Sequence, residues 1–187
     1  MFTLFIKNMV CNRCIMVVQQ ELDKLGIAAK NVRLGEATLE KELTTTQQKL
    51  LNGALAPLGF ELIDDKKSQL IERIKNIIIE LVHYHEPDGK RNLSDILSDE
   101  LQHDYNYLSN LFSEVTGTTI EKYFIAQKVE KVKELLVYDE LSLSEIAYRL
   151  NYSSVAYLSN QFKKVTGLTP SHFKQVKAEK RKPLDEV

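Results

Sequence analysis

Cysteine is scarce in this 187-residue chain. Only Cys11 and Cys14 are present, and no secretory signal accompanies them. A reducing, cytoplasmic setting is therefore expected rather than a disulfide-stapled scaffold. Long apolar runs are lacking too. The densest cluster, Ile77, Ile78 and Ile79, is broken by Glu80 and is far too short to span a bilayer, so no membrane partner is expected. No low-complexity tract interrupts a composition that is otherwise that of a globular protein. The net charge of −1 gives no whole-chain argument for a polyanionic partner. Beside the two cysteines no histidine, lysine or acid completes a catalytic constellation, so enzyme activity is not expected.

What is present begins with a repeat. Tyr107, Leu108, Ser109, Asn110, Phe112, Val115, Thr116, Gly117 and Thr119 recur fifty positions later as Tyr157, Leu158, Ser159, Asn160, Phe162, Val165, Thr166, Gly167 and Thr169. Repetition at that period marks duplicated supersecondary units. In the second copy, Ser142 or Ser144 can cap a short helix with Ile146, Ala147 and Leu150 on its apolar face. A polar turn, Asn151 to Ser154, ends that helix and supplies a new cap. The next helix, Val155–Val165, is expected to bury Leu158, Phe162 and Val165. Gly167 is a C-cap candidate, and Thr169-Pro170 opens a further helix whose N-terminus could hold a phosphate. Two short helices around a tight turn, the second carrying Lys163 and Lys164, read as a helix-turn-helix.

The first copy follows the same plan. Leu93–Leu101 supports Tyr105–Val115, which Asp104 caps, and Leu108, Leu111 and Phe112 point inward. Leu101 aligns with Leu150 only if one residue is inserted near Gln102-His103, so the two turns differ in length. A long helix, Ile120–Tyr138, connects the copies through Phe124, Ala126, Val129, Val132, Leu135 and Leu136. An amphipathic helix, Gln69–His85, and a turn, Glu86–Lys90, precede them. His83 and His85 face different sides of that helix and make poor joint metal ligands.

The run from Ile146 through Phe173, with Phe162, Lys163, Lys164, Gly167, Thr169, Pro170 and Phe173 in place, resembles the C-terminal signature of the AraC-type transcriptional regulators. That resemblance implies two helix-turn-helix units in tandem on one long connecting helix, with the recognition helices entering successive major grooves of double-stranded DNA. It also makes Gln69–His85 the opening core helix of that domain rather than a coiled coil.

Charge is unevenly distributed. Ser142–Lys182 carries eight basic residues against two acidic ones, a net +6, whereas Arg91–Leu141 carries five against ten, a net −5. The second unit is therefore expected to hold most phosphate contacts. Outward-facing candidates for DNA binding there are Val155, Ala156, Ser159, Asn160, Lys163 and Lys164. Asn160 suits an adenine edge, Val155 or Ala156 a thymine methyl, and the two lysines phosphates. In the first unit they are Asn106, Ser109 and Asn110. Its acidic balance raises RNA polymerase as an alternative partner to DNA, and a homodimer is left open. The Lys177–Lys182 tail is either a phosphate-binding arm or a solvated end.

The N-terminal part reads differently. Phe2–Lys7 alternates as a strand with Phe2, Leu4 and Ile6 on one face. After the loop Asn8–Cys14, Ile15, Val18, Leu22 and Leu25 recur at helical spacing until Gly26. Ala28–Leu34 and Ala37–Leu43 form a hairpin through Gly35-Glu36. Thr44–Ala56 is helical with Leu50, Leu51 and Leu55 inward, and Leu58–Ile63 is a last strand. This βαββαβ order is the ferredoxin-like pattern. The expected fold is thus an α+β ferredoxin-like domain over residues 1–65, then an all-α tandem helix-turn-helix domain over 66–180 and a disordered tail over 181–187. Asp65–Ser68 forms the connection.

Met9, Cys11 and Cys14 in the first loop, with Gly59-Phe60 after the second helix, resemble the heavy-metal-associated domains of copper chaperones and metal pumps. The resemblance implies that Cys11 and Cys14 bind Cu(I) or another soft ion, that Met9 packs beneath the loop, and that Phe60 covers the site. Two sulfurs are too few for a closed zinc site but suit a soft, low-coordinate ion. A helix start at Cys14 favours its thiolate. A redox pair, or a domain kept only as a dimerisation or interaction module, are the alternatives. The combined expectation is a metal-responsive transcription regulator.

Overall fold

The computed structural model describes residues 2–84, 91–138 and 140–176. Two compact units emerge, residues 1–76 and 77–187. The expected turn Glu86–Lys90, His85 and the Lys177–Lys182 tail lie outside the described residues.

In the first unit, β1 (Phe2–Lys7) is followed by α1 (Asn12–Lys24), β2 (Ala29–Arg33), β3 (Glu36–Leu39), α2 (Thr45–Leu55), a 3-10 turn (Ala56–Leu58) and β4 (Glu61–Ile63). The strands make one small sheet in the order β2-β3-β1-β4, every neighbouring pair antiparallel. Alternation along β1 buries Leu4 and Ile6, which share a core with Val18 and Leu22 of α1 and Leu51 and Leu55 of α2. Thr44 and Gln47 form a reciprocal capping box at the start of α2.

Three expectations are corrected here. Leu50 is exposed, because the apolar stripe of α2 is narrow and Leu51 and Leu55 fill it. The last strand starts at Glu61 rather than Leu58, because Pro57 and the left-handed Gly59 (φ +85) tighten the chain into a 3-10 turn first. The strand after Gly35 ends at Leu39, so its expected stretch to Leu43 is too long.

The next helix, α3 (Lys66–His83), begins three residues before Gln69. The Ser68 amide donates to the Asp65 carboxylate at 2.8 Å, so Asp65 acts as a helix cap and Asp65–Ser68 is not an extended connection. Within the first unit, Arg73 reaches the buried Glu36, the partner of the exposed Arg33, at 3.2 Å.

The second unit adds α4 (Leu93–Leu101), α5 (Tyr105–Thr116), α6 (Ile120–Tyr138), α7 (Leu143–Arg149), α8 (Val155–Thr166) and α9 (Pro170–Val176). Its helices start where side-chain oxygens satisfy free amides: Asp104 for α5, Ser142 for α7, Ser154 for α8. Gly117 and Gly167 end the paired helices in the left-handed conformation. The helix α6 packs against α5, α7, α8 and α9. Val129, Val132, Leu158, Phe162 and Phe173 sit in one cluster at its C-terminal half, with Phe162 and Phe173 edge to face at 5.5 Å. Val165 is exposed, contrary to expectation, because Phe162 and Leu158 already cover the contact and Thr166 turns its hydroxyl back to the Phe162 carbonyl.

Candidate nucleic-acid interface and metal centre

The helices α5 and α8 present matching faces. Leu108, Leu111 and Phe112 anchor α5, and Leu158 and Phe162 anchor α8. Opposite them, Asn106 and Asn110 are exposed on α5, and Ala156, Asn160, Lys163 and Lys164 on α8. Ser109, Ser159 and Val155 are half-buried, and Val155 packs against the cluster around Phe162. Thus six of these nine candidates are exposed, while Ser109, Ser159 and Val155 are half-buried at the border of that face. Tyr107 and Tyr157, which periodicity alone did not single out, are also exposed, at 48% and 53%. Their place in the repeated segment was the available signal.

The two faces differ in charge. Lys163 and Lys164 occupy the positions that Ser113 and Glu114 hold in the first copy. Both lysines lie in the last turn of α8, where a cation also suits the carbonyl end of the helix. In the first copy, Glu121 receives a hydrogen bond from the Tyr105 hydroxyl, which holds that carboxylate below its usual range.

The turns differ as well. Three residues, Gln102 to Asp104, link α4 to α5, whereas four, Asn151 to Ser154, separate Leu150 from α8. Both use a left-handed residue, Gln102 (φ 54) and Asn151 (φ 50). After that residue the second turn carries the buried Tyr152 where the first carries the exposed His103, so the second turn is not wholly polar. The Tyr152 amide donates to the Ala147 carbonyl at 2.9 Å.

A helix-turn-helix domain family model matches residues 97–175. Among solved structures, the C-terminal domain of AraT, a response regulator from Geobacillus stearothermophilus, aligns with a TM-score of 0.51 at 25% identity, covering 63% of this chain and 95% of that one. Residues 97–175 form a helix-turn-helix domain. Curated relatives with matching segments include the xylose operon regulatory protein of Escherichia coli strain K12, 25% identical over 159 residues. That match covers 84% of this chain and 40% of the relative. Another is the uncharacterized HTH-type transcriptional regulator YtdP of Bacillus subtilis, 26% identical over 137 residues, with 73% of this chain and 17% of that protein covered. The chain therefore spans less than half the length of these relatives. The helix-turn-helix domain follows a small antiparallel sheet region, and among the described residues no helix is long and apolar enough to cross a membrane.

Outside the helix-turn-helix domain, the two thiols meet at the start of α1. Cys11 is its N-cap, with Cys14 in the first turn, and their sulfurs are 3.3 Å apart in a hydrogen bond. That is well beyond the ~2.05 Å of a disulfide. A soft ion at about 2.3 Å from each sulfur tolerates separations up to about 4.6 Å, so this spacing is within reach of one metal. Met9 is 1% exposed and Phe60 is also buried. Asn8 adopts φ +69, which asparagine tolerates, and its amide donates to the Gly59 carbonyl at 2.9 Å, tying the loop to the Gly59-Phe60 segment. Burial pushes the Cys14 thiol up from its ordinary value; the Val10 and Cys11 backbone contacts oppose this without overcoming it. The expected helix-end preference for thiolate is thus outweighed by desolvation. No group of three or more histidine, cysteine, aspartate or glutamate ligands occurs among the described residues.

Proposed function

We propose that this chain is a transcription regulator that binds double-stranded DNA through α5 and α8 and responds to a soft metal ion held by Cys11 and Cys14. The observation that carries the DNA half is the duplicated pair of helices, each opened by a side-chain cap and closed by a left-handed glycine, with a polar face opposite a packed one. The readers are Asn106, Ser109 and Asn110 in the first copy and Ala156, Ser159 and Asn160 in the second, with Val155 at the border. Lys163 and Lys164 bind phosphates. The charge asymmetry makes the second copy the stronger anchor. The first copy's net −5 gives it RNA polymerase as an alternative contact.

For the N-terminal unit we read a ferredoxin-like, heavy-metal-associated fold. Its element order, the β2-β3-β1-β4 sheet and the paired thiols above buried Met9 support that reading. Cys11 and Cys14 would ligate Cu(I); such an ion supplies the charge that turns both thiols into thiolates. A second reading, that this unit is a dimerisation or interaction module, is favoured by the burial that keeps Cys14 protonated.

The test selects duplexes from a random library with the wild type, then measures their affinity with and without Cu(I) under reducing conditions. A Cys11→Ser/Cys14→Ser variant runs alongside. Stoichiometric, cysteine-dependent Cu(I) binding that shifts DNA affinity is expected. DNA binding indifferent to Cu(I) and to both substitutions moves the unit to the second reading, and failure to enrich any duplex overturns the regulator itself.

A further inference from the structure

Two clefts of the second unit meet at Lys128. The smaller, about 400 Å³, is lined by Tyr105 from the first turn of α5, by Lys128 of α6, and by Tyr152, Tyr157 and Gln161 of the second copy. It is bounded by the N-terminal turns of both candidate reading helices. The Lys128 ammonium lies 4.0 Å from the Tyr152 ring centroid and 5.4 Å from that of Phe124. No described carboxylate lies within ion-pair distance of it. Glu121, at the same cleft, is engaged by the Tyr105 hydroxyl. Tyr152 is only 9% exposed, and its hydroxyl has no hydrogen-bond partner among the described residues.

A desolvated cation without a counter-ion is costly, and ring faces offset only part of that cost. Burial alone pushes the Lys128 pKa down to about 8. An anion entering the cleft would relieve both this and the orphaned hydroxyl beside it. If α5 and α8 face two grooves of one duplex, the backbone between those grooves crosses the cleft that both helices bound.

We propose that Lys128, backed by Tyr152, takes a phosphate of the duplex between the two helix-turn-helix contacts, making the cleft a third DNA-binding point. This rests on the DNA-binding reading above. It places a phosphate anchor on the connecting helix, outside both recognition helices.

The experiment uses the full chain and a duplex selected by the wild type, with affinity measured by fluorescence anisotropy across a salt series. A phosphate contact contributes about 0.9 to the slope of log affinity against log salt. Lys128→Met should flatten the slope by about that amount, so that the variant loses roughly 3- to 4-fold less affinity than the wild type over a fourfold rise in salt. Lys128→Arg should restore the slope, and Lys163→Ala serves as the reference for an exposed lysine. An unchanged slope in Lys128→Met overturns the proposal even if affinity falls, because that pattern belongs to a packing role. Should Lys128→Met lose its helical circular dichroism, the slope of Lys128→Gln decides instead. Absence of any duplex binding by the wild type would indict the regulator reading rather than this residue.

Discussion

Gly35 offers the sharpest mechanical test of the first unit. It sits in the β2–β3 turn at φ +74, and its carbonyl accepts from the Ile6 amide at 2.8 Å. A methyl group placed there would lie 1.8 Å from the Asn76 Nδ2 of α3 and 3.0 Å from its Cγ. Asn76 is itself buried, so its amide has little room to retreat. Two costs therefore fall on Gly35→Ala. Left-handed backbone costs an L-residue about 1–2 kcal/mol. Displacing a buried amide from its place adds about 1–3 kcal/mol. Together they predict a loss of roughly 2–5 kcal/mol. Asn76→Ala removes the second cost and leaves the first, so in that background Gly35→Ala should cost only about 1–2 kcal/mol, a coupling of about 1–3 kcal/mol. Native-state amide exchange at Ile6, whose donor crosses to Gly35, reads the unit locally where a global melt would blend two units. Equal costs in the two backgrounds would refute the close packing of the turn on α3. A total cost below about 1 kcal/mol would refute the backbone argument as well.

Three further outcomes are expected. Lys128 has a folded-state pKa below its unfolded value of 10.5, so its charge destabilises the fold below pH of about 8, and that cost fades as pH rises toward 10.5. Urea unfolding should find Lys128→Met more stable than wild type near pH 7, by at most roughly 3 kcal/mol, with the gap narrowing near pH 9.5. Asp104→Ala frees the Asn106 and Tyr107 amides and should destabilise the second unit by about 1 kcal/mol in thermal melts. Phe162→Ala should cost about 3–5 kcal/mol, whereas Val165→Ala, at the exposed position three residues on, should stay within about 0.5 kcal/mol.

Much of the helical half was legible because its boundaries are written in side-chain chemistry. Asp104, Ser142 and Ser154 are capping residues, Gly117 and Gly167 are terminators, and helix limits fell within a residue or two of them. The same chemistry was present at Asp65 and passed unread, because Lys66, Lys67 and Ser68 look like a polar linker until the aspartate is recognised as the cap. Periodicity named the inward face but not its width. Leu50 and Val165 satisfied the spacing, yet neighbours one or three positions away had already filled the contact. Lys128 could not be found that way at all. Its environment is made by Tyr152 from another element, and only tertiary packing brings the pair together. At the thiol loop, spacing suggested the pair, but the balance between helix amides and burial at Cys14 depends on how deeply the loop sits.

The one-residue difference between the two turns means that the copies have ceased to be spare parts for each other. The four-residue turn seats Tyr152 against α6, whereas the residue after the left-handed Gln102 in the three-residue turn is the exposed His103, whose ring meets Tyr107 at 5.4 Å. A graft of α4–α5 into the place of α7–α8 would carry over the repeated anchors Leu108 and Phe112 and still deprive the Lys128 ammonium of the Tyr152 ring, leaving it only the more distant Phe124. Divergence in this duplication is therefore lodged in the turn between each pair of helices, where a buried phenol in one copy and an exposed imidazole in the other set what the connecting helix touches.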